Sequence, residues 1–458
     1  MKEFLNKKVL LSPCSPLTLA LKQYLVEQNV EVVGFIDKNK SEENIYKIDQ
    51  IGSIEFDSIL ILSPNHFFAI YNEYLEYYKK DIIYEVKLKE NKYNFSNKIT
   101  SKEYQFKYLP KEFDIKREKF VFISKGFISA NNKFFYLYCF RNGIDTVILT
   151  DNVEQLQELQ SKKLPCELLE TKESDYNIAI AKFIIFDQGN YTYLPPLHEE
   201  QKTIQLWHGV GLKKMSKMDN ITYDYFVSTS NWTNETNFKN IFSAKTFLDT
   251  GYPRNDILDK EYKEDDLDLL FCDKEIYRFV KSDKKIVLYM PTHREKQTKV
   301  PLDFNTLNES LKEINYYMIV KLHPFVLEYY KNYEDNEYSN ILFHNANGDI
   351  YPILKYVDIL TSDYSSIVYD FLLVDKPIIF FNYDIDDYNK NIPFLFNFDK
   401  YSPGVKVKNQ KDLLIELYNV LSEKDFCNEY RKNILNKFFT FREGNSSKML
   451  IDKLLKRK

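Results

Sequence analysis

Short apolar runs alternate along this chain with longer amphipathic stretches, the rhythm of buried parallel strands joined by helices. The pattern opens with a strand at residues 9–11, a helix over 17–28 and a second strand at 30–36 that ends on Asp37. A strand at 58–62 and a helix over 67–78 complete a small βαβ unit. Residues 87–118 turn to Lys, Glu and Asn and predict a linker with some helix or loop. From Lys119 the rhythm restarts, with strands at 120–124, 146–150, 182–186, 203–207, 224–228 and 246–250 and a helix near 131–142. Residues 259–283 are charged and strandless and read as a hinge. A second series follows, with strands at 285–291, 316–324, 357–361 and 377–382, then helices over 411–421 and from Ser446 onward. The expected fold is α/β: two Rossmann-like parallel-sheet lobes facing a cleft, plus a small N-terminal α/β accessory domain. The expected bounds are 1–95, 96–265 and 266–458. Ligands of such folds bind where the C-terminal ends of the strands face a crevice.

Composition narrows the function classes. The 458 residues allow two or three cores. Lys and Arg total 63 against 67 Asp and Glu, a net charge of -4, so no global field recruits nucleic acid. The five Cys (14, 139, 166, 272, 427) are odd in number and lack CxxC spacing, which argues against a disulfide framework or a structural metal site. The N-terminal apolar run is too short for a signal peptide, and no run reaches the roughly 18 residues that would cross a membrane. The expected location is the cytoplasm. Peripheral attachment at the inner face of the membrane stays open, with the closing segment KMLIDKLLKRK as its candidate. The first βαβ unit ends its second strand in an acidic residue, as dinucleotide folds do. Ser12-Pro13-Cys14-Ser15-Pro16 stands where the glycine fingerprint belongs, however, so the unit reads as accessory.

The candidate chemistry gathers at strand ends. Ser362-Asp363-Tyr364-Ser365-Ser366 joins a strand to a helix, and such a turn presents N–H groups and a positive dipole end to an anion. Three of the six histidines, His208, His293 and His323, each follow a strand, in QLWHGVGLKK, PTHRE and KLHP. Gly209 and Gly211 flank the first of these and suit close backbone approach by a substrate; a tight turn is the structural alternative. Lys213, Lys214, Arg294, Lys321 and the turn Gly251-Tyr252-Pro253-Arg254-Asn255 would give the cleft a positive lining, which suits a phosphate-rich ligand. Asp265-Asp266 and Asp386-Asp387 lie in polar stretches and read as solvated loop, so no metal and no other cofactor is expected.

These segments together resemble the CDP-glycerol glycerophosphotransferase family, which makes teichoic acids and related capsule polymers. The resemblance covers about residues 200–458, in order: QLWHGVGLKK, VSTSNWTNETNF, GYPRND, VLYMPTHRE, IVKLHP, DILTSDYSSIVYDFLLVDKPIIFF, YDIDDY, YSPG and FREGNSS. It implies a two-lobed GT-B fold that works without metal, with CDP-glycerol as donor and a polysaccharide or lipid-linked acceptor. An acceptor hydroxyl would attack the β-phosphorus of the CDP-activated polyol, releasing CMP. By the resemblance His208 is the general base, and His323, beside Lys321, holds the pyrophosphate with Arg294. Ser365 and Ser366, with their helix N-terminus, would bind phosphate from the opposite side, Asp363 is a further donor-binding residue, and Asp370 would contact ribose or cytidine. Two departures stand out: Val210-Gly211 replace a small hydroxyl residue and Pro after W-H-G, and His293 occupies an aromatic position. Ribitol in place of glycerol, a GT-B glycosyltransferase or epimerase using a nucleotide sugar, and a non-catalytic assembly protein are the competing readings. Homo-oligomerisation is left open.

Overall fold

The fold was obtained as a computed structural model. It describes the chain apart from residues 1–3, 39, 41, 64–66, 76, 90–91, 98–105, 125–126, 189–193, 219–220, 295–300, 324–337, 346, 423–424 and 457–458. His66 and Pro324 of the KLHP segment lie outside the described residues. Two compact units result, residues 1–105 and 106–458.

The first unit is a sheet of β1 (Lys8–Ser12), β2 (Glu31–Ile36), β3 (Ile45–Tyr46), β4 (Ser58–Ile61), β5 (Ile83–Lys89) and β6 (Lys92–Ser96), ordered β3-β2-β1-β4-β5-β6. All neighbours are parallel except β5 and β6. The stretch expected to be linker therefore contributes an edge hairpin. Its strand KYNFS alternates exposure, turning Tyr93 and Phe95 inward against Tyr24 and Phe4, and the polar outer face is what edge strands favour. Asp37 accepts from the backbone N–H groups of Cys14 and Lys40, each at 3.0 Å. The carboxylate that a dinucleotide fold turns toward ribose is spent here on the protein's own loops.

The second unit holds two lobes. The first is the sheet β13-β12-β11-β10-β7-β8-β9, built from β7 (Lys116–Ser124), β8 (Thr146–Thr150), β9 (Cys166–Leu168), β10 (Ala181–Phe186), β11 (Lys202–Gln205), β12 (Thr222–Val227) and β13 (Ser243–Leu248). The second is the sheet β16-β15-β14-β17-β18-β19, built from β14 (Lys285–Tyr289), β15 (Tyr316–Lys321), β16 (Ile341–His344), β17 (Ile359–Ser362), β18 (Ile378–Phe381) and β19 (Val405–Val407). Every pairing in both is parallel. Each sheet runs outward from its first strand and then reverses, which leaves a crevice at the switch point beyond the strand C-termini. The central strands are buried along their length, as parallel sheets covered on both faces require.

The expected hinge is instead packed structure. Leu269, Leu270, Ile276 and Tyr277 are buried, and residues 274–280 form a helix capped by the Asp273 side chain. Across the lobes, Lys133 on the first donates to Asp349 of the second at 2.6 Å, and both side chains are 0% exposed. The closing helix, Ser446–Leu455, returns to the first lobe: Asp256 accepts from Ser446 N and Ser447 N, each at 2.8 Å. Leu450, Ile451 and Leu454 are buried there. The apolar face of the segment named as a membrane candidate is thus spent on packing. Among the described residues, no helix is long and apolar enough to cross a membrane.

Candidate active site

The W-H-G segment follows β11 and is held in an unusual backbone path. Trp207 has φ +54° and Gly209 φ +133°, conformations that only an over-determined loop maintains. The pins are visible: Asn131 Nδ2 donates to the carbonyls of Leu206 (3.2 Å) and Trp207 (2.7 Å), and Gln205 Oε1 accepts from Trp207 N at 2.9 Å. His208 stacks on Trp207, with centroids 3.8 Å apart, and its Nδ1 lies 3.4 Å from the Asp187 carbonyl. If that contact is a hydrogen bond, Nδ1 carries the proton and Nε2 is left as acceptor. His208 is an exposed residue. The protein packed around it, and then the positive charge of Arg254, push its pKa down to about 4, against the pull of the Asp187 carbonyl.

From there the chain crosses to the second lobe. Leu212 O accepts from Leu395 N (2.6 Å), Pro393 O accepts from Lys214 N (2.8 Å), and Lys213 bridges Phe394. Gly209 leaves no room for a side chain: a methyl group there would lie 2.8 Å from Arg254 Nη2 and 3.3 Å from Ser366 Oγ. His208 and the serine turn, 158 residues apart in sequence (366 − 208), are therefore neighbours. Gly211 differs, since a Cβ there meets nothing nearer than 3.9 Å; it reads as a turn residue and not as a point of close approach. Gly209→Ala is expected to lower transfer by about 10²-fold by displacing the loop, whereas Gly211→Ala is expected to keep activity. Steady-state assay of the two variants side by side checks the contrast.

On the second lobe, His323 is exposed beyond β15 and stacks on His293, centroids 5.2 Å apart and rings 23° from parallel. Burial, then the charges of His293, Lys321 and Lys213, lower its pKa. Lys213 feels Asp363 and Arg294 in turn, so the first lobe's loop delivers an ammonium into the second lobe's cluster. Lys321 is buried, donates to Asn345 O at 2.7 Å, and has its pKa pushed down to about 8 by that burial, with Asp349 opposing. Ser365 and Ser366 are half-buried, and the Ser366 side chain makes no capping bond to the short helix Ile367–Phe371. That leaves the Ser366 hydroxyl beside Gly209.

Three residues expected to meet the donor are engaged by the protein itself. Arg294 is 10% exposed and gripped by Asp384 through Nε (2.8 Å) and Nη2 (2.9 Å), and by Asp363 and the Thr292 carbonyl through Nη1 (2.5 and 2.6 Å). The rings of Tyr364, Tyr383 and Tyr388 lie 5.1–5.5 Å from its guanidinium. Its donors are thus engaged within the second lobe. Asp363 accepts from Thr292 N, Tyr364 N and Arg294, binding the PTHR loop to the serine turn. Asp370 is buried and accepts from Arg254 (2.5 Å), Tyr351 (2.7 Å) and Asn255 (3.0 Å), so it faces protein and not a nucleoside. Asn131 is the residue that sequence reasoning passes over, while Arg254 enters it only as part of a basic turn; nothing in the chain announces that Asn131 supports the W-H-G segment. Among the described residues, no group of three or more His, Cys, Asp or Glu is placed to hold a metal.

Residues 104–456 match the model of the family CDP-Glycerol:Poly(glycerophosphate) glycerophosphotransferase. The chain belongs to this family. It is 29% identical over 283 residues to the teichoic acid poly(glycerol phosphate) polymerase of Bacillus spizizenii, covering 55% of this chain and 69% of that one. It is 28% identical over 319 residues to the teichoic acid poly(ribitol-phosphate) polymerase of the same organism, covering 63% of this chain and 49% of the relative. The chain thus spans about half the length of that second relative. Among solved structures, a variant of the wall teichoic acid polymerase TagF aligns with TM-score 0.61 at 22% identity, over 75% of this chain and 89% of that one. At that identity the likeness speaks for the fold, which is GT-B-like.

Proposed function

We propose that this glycerophosphotransferase-family chain transfers glycerol phosphate from CDP-glycerol to a hydroxyl of a growing surface polymer and releases CMP. The observation that carries the reading is the contact of Gly209 with Ser366, which sets a histidine from one lobe against the anion-seeking turn of the other. In this reading, residues 96–265 form the acceptor side and residues 266–458 the donor side. The acceptor oxygen attacks the β-phosphorus, the bond from that phosphorus to the bridging oxygen breaks, and CMP leaves with the electron pair. His208 Nε2 takes the hydroxyl proton. A depressed pKa keeps that nitrogen unprotonated through the neutral range. His323, with Lys213 and the Ser365-Ser366 turn, neutralises the diphosphate as charge passes to CMP. The chemistry asks for no metal in this account. Work at the cytoplasmic face of the membrane, where a lipid-linked acceptor would grow, belongs to the same proposal.

The test is CMP release from CDP-glycerol, run beside CDP-ribitol, UDP-glucose and UDP-N-acetylglucosamine, with and without EDTA. Release from CDP-glycerol alone, unaffected by EDTA, is expected. UDP release with silence from both CDP-polyols would overturn the reading in favour of a sugar transferase.

A pH dependence follows from the stacked histidines. Partial desolvation and then neighbouring positive charges lower the pKa of His323 in the free protein, and a bound diphosphate favours its protonated form. Binding therefore takes up a proton, and affinity rises as pH falls through the bound-state pKa. Calorimetric titration of CDP-glycerol at pH 5.5 and pH 8 is expected to give tighter binding at the lower value. His323→Gln is expected to flatten the difference, and equal affinities in the unmodified protein would contradict the account.

A further inference from the structure

Arg254 belongs to the first lobe, in the turn after β13, yet its guanidinium is buried against the second. Nη2 is paired with Asp370 at 2.5 Å, and the cation lies 4.7 Å from the ring centre of Tyr351. Asp370 is itself fixed by Tyr351 and Asn255. Arg254 N donates to Asn131 Oδ1 at 3.2 Å, and the amide of the same Asn131 holds the carbonyls of Leu206 and Trp207. One buried asparagine thus fixes the arginine and the W-H-G loop together. On the other side, Nη2 packs where a Cβ of Gly209 would be. Nε, by contrast, is buried without a hydrogen-bond partner, so Asp370 does not engage the whole guanidinium. Around His208, the charged group that acts on the imidazole is Arg254; the Asp187 carbonyl opposes it, Asp363 of the serine turn is engaged by Arg294 and Thr292 N, and Asp370 is engaged by Arg254.

We propose that Arg254 is a positioning residue for His208: pinned by Asp370 and Asn131, its guanidinium backs the His208-Gly209 loop against Ser366 and sets a fixed positive charge beside the imidazole. The inference rests on the reading of His208 as the base, and it concerns what tunes that base. The protein's own cation is used to disfavour imidazolium, so the base stays available at pH values where an ordinary histidine would be largely protonated.

The test is a histidine titration by NMR on full-length protein labelled at imidazole Cε1. The chain has six histidines, and the His208 signal is assigned by its loss in His208→Gln. In the unmodified protein the signal is expected to stay put between pH 8 and pH 5.5. In Arg254→Gln it is expected to titrate roughly one pH unit or more higher than in the unmodified protein. Because Arg254→Gln strands the Asp370 carboxylate, the double variant Arg254→Gln/Asp370→Asn, which removes both charges, is measured as well and is expected to shift in the same direction. Arg254→Lys retains the charge and is expected to leave the titration near its original position. The acid limb of kcat/KM for CMP release from CDP-glycerol should move with the NMR signal. Titration of His208 at the same pH in all four proteins would overturn the inference. Full activity of His208→Gln would instead remove the base assignment, and the NMR shift would still report whether Arg254 sets the charge state of the ring.

Discussion

CMP release from CDP-glycerol by the His208→Ala variant is expected to fall by about 10²–10⁴-fold, the range that positioned general bases contribute. Affinity for CDP-glycerol, measured separately by calorimetry, is expected to change little, because the groups proposed for the diphosphate lie at residues 213, 323, 365 and 366. The asymmetry between the two readouts is the informative part. A merely structural histidine would lose stability and binding together. His208 has few ties of that kind: its ring makes a 3.4 Å approach to the Asp187 carbonyl, and the loop is held through the backbone by Asn131 and Gln205, not by the imidazole. Removing the ring should therefore leave the loop in place and take away the proton acceptor. If turnover survives in His208→Ala, the proton must go elsewhere and the assignment fails.

Why some of this was legible in the sequence and some was not follows from the range of the interactions. The central strands announce themselves because burial on both faces of a parallel sheet demands unbroken apolar runs, as in 120–124 and 285–289. The strands passed over in the two lobes, β9, β16 and β19, have only three or four residues each, too short for a period to show. The histidine and serine candidates were readable as residue types at strand ends. Their neighbourhood was not, since Gly209 meets Ser366 through tertiary packing alone. Asp370 shows the limit clearly. A carboxylate one turn past a phosphate-binding turn looks like a ligand contact until Arg254, 116 residues earlier, is found to occupy it. Arg294 fails in the same way, because Asp384 lies 90 residues further on. Local motifs advertise charge, but whether that charge is already spent is decided elsewhere in the chain.

The join between the lobes gives the largest expected effect on stability. Lys133 donates to Asp349 Oδ2 and to the carbonyl of Leu270, both at 2.6 Å, while Asp349 Oδ1 also accepts from Ser129 Oγ (2.9 Å) and Tyr351 N (3.0 Å). Neither side chain of the pair has any exposed surface. Asp349→Ala would strand a fully buried ammonium and two donors, and the expected loss is about 3–5 kcal/mol, the usual cost of breaking a buried pair from one side. The pair itself need not be strongly stabilising, because desolvating both charges offsets most of their attraction. That difference yields the discriminating variant. Lys133→Met/Asp349→Asn removes both charges but keeps an amide oxygen for Ser129 and Tyr351 N, and it is expected to recover most of what Asp349→Ala loses. Denaturant unfolding of the two variants beside the unmodified protein measures both effects. Recovery in the double variant would locate the cost in the stranded charge. A double variant as unstable as Asp349→Ala would mean that the attraction between Lys133 and Asp349 is itself what holds the lobes together.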